Sequence, residues 1–179
     1  MQLQTQRLLL RELIAEDLNE IHKMNSLPEV DQYNTLGLPE SIAVTEKLIR
    51  NWLSEQQALP RMNYVFCIAD AASNTFIGMI GLRLGKPGYR NAEVWYKFFP
   101  EHWGKGYATE ALKELLRFGF QDMNLHRIEA GCAVGNIGSI KVLEKVGMIR
   151  EGRTRKLLPI RGEWVDNYGY AILEEDFIS

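Results

Sequence analysis

The chain has 179 residues, 46% hydrophobic and 25% charged, with a formal charge of −2; it is long enough for one sizeable core and has the composition of neither a disordered segment nor a membrane protein. With 21 basic against 23 acidic residues, a local basic patch stays possible, but a dedicated nucleic-acid binder, whose phosphate contacts call for a basic excess, is disfavoured. A single domain over 1–179 is expected.

Arg7 to Arg11 reads as a first strand, and Ala15 to Met24 as a short helix with Asp17 as a possible cap. Asn25 to Glu40 mixes proline, glycine and polar residues, a long loop of the kind that borders active sites. A helix follows from about Ser41 to Glu55. Tyr64 to Ala69 and Phe76 to Leu84, separated by the turn-like Asp70 to Asn74, form a hairpin. Ala92 to Phe99 is an aromatic-rich strand stopped by Pro100.

From Gly104 to about Asp122, Ala108, Ala111, Leu112, Leu115, Leu116 and Phe120 recur at spacings of three and four, which predicts a core-packed helix. A strand over Arg127 to Cys132 precedes a helix that opens near Asn136 and stops at Gly147. Met148 to Leu158 and Trp164 to Leu173 make a last strand pair joined across Pro159 to Gly162. The succession is strand, two helices, three strands, helix, strand, helix, two strands: an α/β chain with a mixed sheet and helices on its faces, not a doubly wound nucleotide fold.

Cys67 and Cys132 sit in apolar surroundings without a CxxC pair, so buried free thiols are expected rather than a disulfide framework or structural zinc. Met1 to Leu10 contains an arginine and three glutamines, and no apolar run reaches membrane-spanning length, so no membrane partner and a cytoplasmic location are expected. His22, His102 and His126 lack metal-ligand spacing, and no metal is implied. Arg150, Arg153, Arg155, Lys156 and Arg161 read as a solvated strand edge, or as a patch attracting acidic substrate or RNA. Tyr33 and Trp52 are candidates for an acceptor pocket, with core packing the alternative for Trp52. Nothing here fixes oligomeric state: monomer and homodimer both stand.

The most informative stretch is Phe98 through Leu112, where a strand ends, the glycine-bearing Trp103-Gly104-Lys105-Gly106-Tyr107-Ala108 follows and an amphipathic helix begins. Free N–H groups at a helix start, the macrodipole and glycines that allow close approach together suit an anion such as a pyrophosphate. Gly-x-Gly alone is weak, and a glycine-bearing turn is its structural alternative. Thr109 stands where a dinucleotide fingerprint needs glycine or alanine, and Lys105 is followed by Gly106 rather than Ser/Thr, so dehydrogenase and Walker A readings lose support.

With Thr5-Gln6-Arg7-Leu8-Leu9-Leu10-Arg11, Trp103 to Ala111, and Asn136-Ile137-Gly138-Ser139 followed by Glu144-Lys145-Val146-Gly147-Met148 in this order, nearly the whole chain resembles a GNAT acetyltransferase. Within that family it is similar to the branch typified by ribosomal-protein N-terminal acetyltransferases (RimJ/RimL-like). The resemblance implies a mixed, mostly antiparallel sheet of about seven strands with helices on both faces, and acetyl-CoA as cosubstrate. It implies that Trp103, Gly104, Lys105, Gly106, Tyr107, Ala108 and Thr109 cradle the CoA pyrophosphate, with tryptophan at 103 where the wider family has Gln or Arg. Phe98 and Phe99 would offer main-chain partners to the pantetheine arm and an N–H to the oxyanion. Asn136, also a good N-cap, would contact the pantetheine, and Ser139 would lie near the thioester sulfur.

Many members carry a tyrosine seven residues after that Asn as proton donor to the thiolate; Leu143 stands there, so Ser139 becomes the candidate donor. Glu93, or else Asp166 on the last strand, is the candidate base; salt-bridged Glu93 and ammonium-binding Asp166 are their alternatives. Neither cysteine is needed as a nucleophile. The implied acceptor is a primary amine, first a ribosomal or other protein N-terminus, with a small-molecule amine or a non-catalytic CoA-binding module as rivals.

Overall fold

The computed structural model describes residues 1–178. Its elements are β1 (Gln2–Gln4), β2 (Leu8–Glu12), α1 (Leu18–Asn25), α2 (Pro28–Asp31), α3 (Ile42–Gln56), β3 (Asn63–Asp70), β4 (Phe76–Leu84), β5 (Asn91–Phe98), α4 (Tyr107–Arg117), β6 (Arg127–Ala133), α5 (Ile137–Lys145), β7 (Ile149–Ile160) and β8 (Glu163–Leu173). Eight strands form one sheet in the order β1-β2-β3-β4-β5-β6-β8-β7. Every neighbouring pair is antiparallel except β5 and β6, which run parallel through the crossover helix α4.

The period of two in the strands divides the core between the two faces. On β3, Phe66 and Ile68 point to the face covered by Ala111, Leu112, Leu115 and Leu116 of α4 and by Leu143 of α5. Val65 and Cys67 point to the other, with Ile21 and Met24 of α1 and Ile49 of α3. A strand covered on both sides reads as a continuous apolar run, as Val65 to Ala69 does. Both cysteines are buried and free. Among the described residues, no helix is long and apolar enough to cross a membrane.

The structure departs from the sequence expectations in several places. The sheet gains β1 and has eight strands rather than about seven; β1 buries only Leu3, too little apolar pattern to read. The expected loop from Asn25 to Glu40 contains the single turn α2, started by Pro28. The long helix after Gly106 is α-helical only to Arg117 and continues as a π-turn over Phe118–Asp122. A Cβ on Gly119 in this turn would lie 2.6 Å from Ile128 Cδ1, so a larger residue would need that side chain to shift. Pro159, read as part of the turn, lies in β7 opposite Trp164, which an edge strand tolerates. The turn proper is Arg161-Gly162, both with positive φ.

Asp17 does not cap α1 with its side chain. It is buried, and its carboxylate accepts from Arg11 at 2.5 and 2.8 Å, from the Ile14 N–H at 2.9 Å and from the Cys67 thiol at 3.3 Å. Burial opposes the charge, but these donors outweigh it and hold the Asp17 carboxyl below its usual range. Asp17→Ala should cost about 2–3 kcal/mol in denaturant unfolding, less than the ~3–5 kcal/mol of a fully buried broken pair because Arg11 is partly exposed and regains water. In the parent protein the contribution is present above pH ~4 and is lost as pH falls further, since the unfolded chain then binds a proton that the folded one refuses. Equal acid sensitivity of parent and variant would refute this assignment.

Candidate active site

After Phe98 the chain makes a short turn over Pro100–His102 and reaches Trp103, whose indole Nε1–H donates to the Phe98 carbonyl at 2.9 Å. Gly104 and Gly106 then take φ of +71° and +82°, the left-handed region that favours glycine. Gly106 is the N-cap of α4, and the first intrahelical bond runs from Glu110 N–H to Gly106 O. The N–H groups of Tyr107, Ala108 and Thr109 therefore have no partner within the helix and form an anion-binding end.

The segment opening the chain is tied to this end. Thr5 Oγ1 and the Arg7 N–H donate to Glu110 Oε1 at 2.6 and 2.9 Å, and Arg7 Nε donates to Oε2 at 2.7 Å. Arg7 also donates to Lys105 O at 3.1 Å and lies over the Tyr107 ring. Burial resists the Glu110 charge, yet Thr5 and Arg7 hold its carboxyl below the usual range. Thr5-x-Arg7 thus braces the first turn of α4, a physical reason for finding it together with the loop motif.

Beside the cradle the sheet opens. β5 and β6 pair from Asn91↔Arg127 to Val94↔Ala130, and the register stops there although both strands continue. Phe99 N–H bonds to Ile77 O on β4 at 3.0 Å, so alternation turns the main-chain groups of Tyr96 and Phe98 toward the gap. Of the expected pantetheine partners, Phe99 N–H is thus engaged by β4 and Phe98 O by Trp103. The Phe98 N–H and the Tyr96 main chain face the opening.

The far wall is the start of α5. Asn136 caps it, its Oδ1 accepting from Ser139 N–H at 3.1 Å, which leaves its amide NH₂ for a ligand. Ser139 Oγ is 2.7 Å from the Tyr96 hydroxyl, a bond that links α5 to β5. Burial pushes the Tyr96 phenol up, against the pull of its bond to Ser139, so it stays protonated. The Cys132 thiol is raised to about 11, chiefly by burial and then by Glu144, and is no thiolate nucleophile. Leu143 is buried in the core. Tyr96 is a hydroxyl that the sequence reading missed; within an aromatic run it carries no local mark.

The opposite face of β5 presents Lys97, whose Nζ donates to Asn25 Oδ1 at 3.2 Å. Burial pushes its ammonium down to about 8 against the influence of Asp31. Asp31, only 4% exposed, accepts from Arg161 Nε at 3.4 Å through Oδ2, while its Oδ1 has no partner. Asp31 and Arg161 line a cleft of about 620 Å³ with Pro28, Leu36, Leu38 and Pro159. Tyr33 lies near its edge, where a Cβ on Gly135 would come within 3.3 Å of the ring. Trp52 stacks on Trp95 with centroids 5.7 Å apart, the core alternative.

The two carboxylates chosen from sequence are both held in ion pairs. Glu93 lies in the closed part of the β5–β6 pair, bound to Arg83, and is four residues, roughly 13 Å, along the strand from Lys97. Asp166 is turned toward β7, where Arg153 and the Lys156 N–H hold it at 2.6 and 2.9 Å and keep its carboxyl low, the backbone bond first. Hydrogen bonds tie Trp103 to Phe98 at the end of β5, and Ser139 to Asn136 and to Tyr96 at the start of α5. In the basic cluster, Arg150 lies over the Tyr168 ring, 4.5 Å from its centroid. Among the described residues, no group of three or more His, Cys, Asp or Glu is arranged to hold a metal.

The acetyltransferase (GNAT) domain family matches residues 7–149. The N-acetyltransferase YnaD of Bacillus subtilis is 35% identical over 177 residues, covering 99% of each chain. A GNAT-family acetyltransferase from Bacillus anthracis superposes with a TM-score of 0.85 at 34% identity, covering 98% of this chain and 99% of that one. Spermidine N-acetyltransferase from Vibrio cholerae, solved with CoA and spermine, superposes with a TM-score of 0.86 at 27% identity over 98% and 100%.

Proposed function

Because the chain belongs to the acetyltransferase (GNAT) domain family and is an N-acetyltransferase with acetyl-CoA as its acetyl donor, we propose that its acceptor is the α-amino group of a protein or peptide N-terminus, as in the RimJ/RimL-like branch. The observation that carries this reading is the charge pattern of the cleft. Among the described residues that line it, Asp31 is the one carboxylate, and Arg161 stands beside it. A polyamine, such as the spermidine named for the Vibrio cholerae relative, has ammonium groups spaced along its length and calls for carboxylates spaced along a groove. A peptide presents one amine followed by side chains, which suits one carboxylate with Leu36 and Leu38 nearby.

The cradle fits a pyrophosphate: two left-handed glycines leave the main chain bare, and the α4 N-terminus supplies N–H groups. Phe98, Trp103 to Thr109 and Asn136 would hold the CoA moiety along the β5–β6 opening. When bound, acetyl-CoA supplies a thioester carbonyl that a neutral amine attacks directly. The Phe98 N–H donates to the carbonyl oxygen, and Ser139 with Tyr96 behind it donates to the departing sulfur. An α-amino group, with a pKa of about 8, needs far less help to lose its proton than a lysine at about 10. Alignment therefore carries most of the rate.

The test is thiol release from acetyl-CoA with a panel of N-terminal peptides, polyamines and amino sugars. Turnover is expected on peptides, with kcat/KM at least tenfold above spermidine. Turnover confined to the small amines would overturn the N-terminal reading, and binding of acetyl-CoA without any turnover would indicate a sensor.

A further inference from the structure

We propose that Asp31 is the residue that receives the acceptor amine, its free Oδ1 accepting an N–H from the nitrogen that is acetylated. The proposal rests on the N-acetyltransferase reading above and adds the acceptor contact to it. A carboxylate oxygen buried to this degree without a donor is costly, because the hydrogen bonds of water have been removed and nothing replaces them. Asp31 Oδ2 meets Arg161, which also donates to Pro28 O at 2.6 Å and so pins α2 to the turn of the β7–β8 hairpin. Oδ1 is left over, on a side chain that lines the cleft.

What the site lacks is a hydrogen-bond donor small enough to enter beside Pro28 and Pro159, and a primary amine is one. It has hydrogens to give in either protonation state, and the neutral form that attacks retains two. The surroundings favour that neutral form. Arg161 lies on one side and Lys97, buried against Asn25, on the other, and both discourage a further full positive charge at the same carboxylate. Lys97 belongs to β5, the strand that borders the opening through Tyr96 and Phe98, and its ammonium feels the Asp31 carboxylate, which relates the cleft to that end of β5. The role is one of binding and orientation.

The experiment uses the full chain and Asp31→Asn, with alanyl-leucyl-leucine amide as acceptor and its propanoyl counterpart, identical but without the amino group, as the control ligand. In the parent protein saturated with CoA, calorimetry should show the amine peptide binding at least tenfold more tightly than the propanoyl peptide. In Asp31→Asn the two should bind alike, the acceptor KM should rise at least tenfold, and acetyl-CoA affinity should stay within threefold. A folded Asp31→Asn with unchanged acceptor KM would overturn the proposal. So would equal binding of the two peptides to the parent protein, a result that does not depend on the variant folding. If spermidine rather than peptides turns over, the N-terminal reading fails, and the Asp31 assignment is judged on the KM of Asp31→Asn for spermidine.

Discussion

Gly106→Glu should weaken acetyl-CoA binding more than 100-fold, which is more than about 2.7 kcal/mol, with the fold retained. Two effects combine at this position. Gly106 has φ +82° as the N-cap of α4, and a residue with a Cβ is strained there by about 1–2 kcal/mol. The new carboxylate would also stand among the N–H groups of Tyr107 to Thr109 and within reach of Arg7 Nη2, which lies 3.4 Å from where the Cβ would be. It would occupy the place of the pyrophosphate and repel it. Gly106→Ala separates the two: it adds the strain without the charge and should cost no more than about tenfold. Calorimetry with acetyl-CoA, checked by circular dichroism, measures both. Unchanged affinity in the Glu variant would remove the pyrophosphate from this loop.

Ser139→Ala should lower kcat by about 10- to 100-fold while acetyl-CoA affinity stays within threefold. General acid assistance is worth ~10²–10⁴-fold, and the lower end applies because a thiolate, from a thiol of pKa about 8.5, leaves readily. Ser139 Oγ is the hydroxyl that the start of α5 offers to the opening, and Tyr96, 2.7 Å away, orients it and stays protonated in its buried position. Tyr96→Phe should therefore cost several-fold in kcat, and the double variant about as much as Ser139→Ala alone, since the two hydroxyls act as a unit. Single-turnover thiol release at several pH values gives these numbers. Full activity in Ser139→Ala would leave the sulfur to protonation by solvent.

Elements with a strong period were readable along the chain. The apolar stripe of α4, the β3–β4 hairpin and the Asn136 cap all have their determinants within a few residues of one another. β1 was not readable, because one buried leucine between two exposed glutamines is no pattern. Asp17 looked like a cap from its place before α1, yet its partners Arg11 and Cys67 come from neighbouring strands. Glu93 and Asp166 looked like bases because both are acidic and lie on strands near the motifs. Their ion pairs with Arg83 and Arg153 depend on register, which residue type does not report.

The sequence by itself determined the glycine loop with its helix start and, through its motifs, the family. Strand end, glycine loop and helix start are contiguous, so their geometry follows from local backbone preference and helix-end chemistry. Only the tertiary structure decided which side chains stand around the opening. Tyr96 meets Ser139 across 43 residues and Arg161 meets Asp31 across 130. Such pairs arise from strand order, register and the stopping of the β5–β6 ladder at Val94, where two parallel strands diverge and expose main-chain groups to a ligand. No local period encodes that divergence.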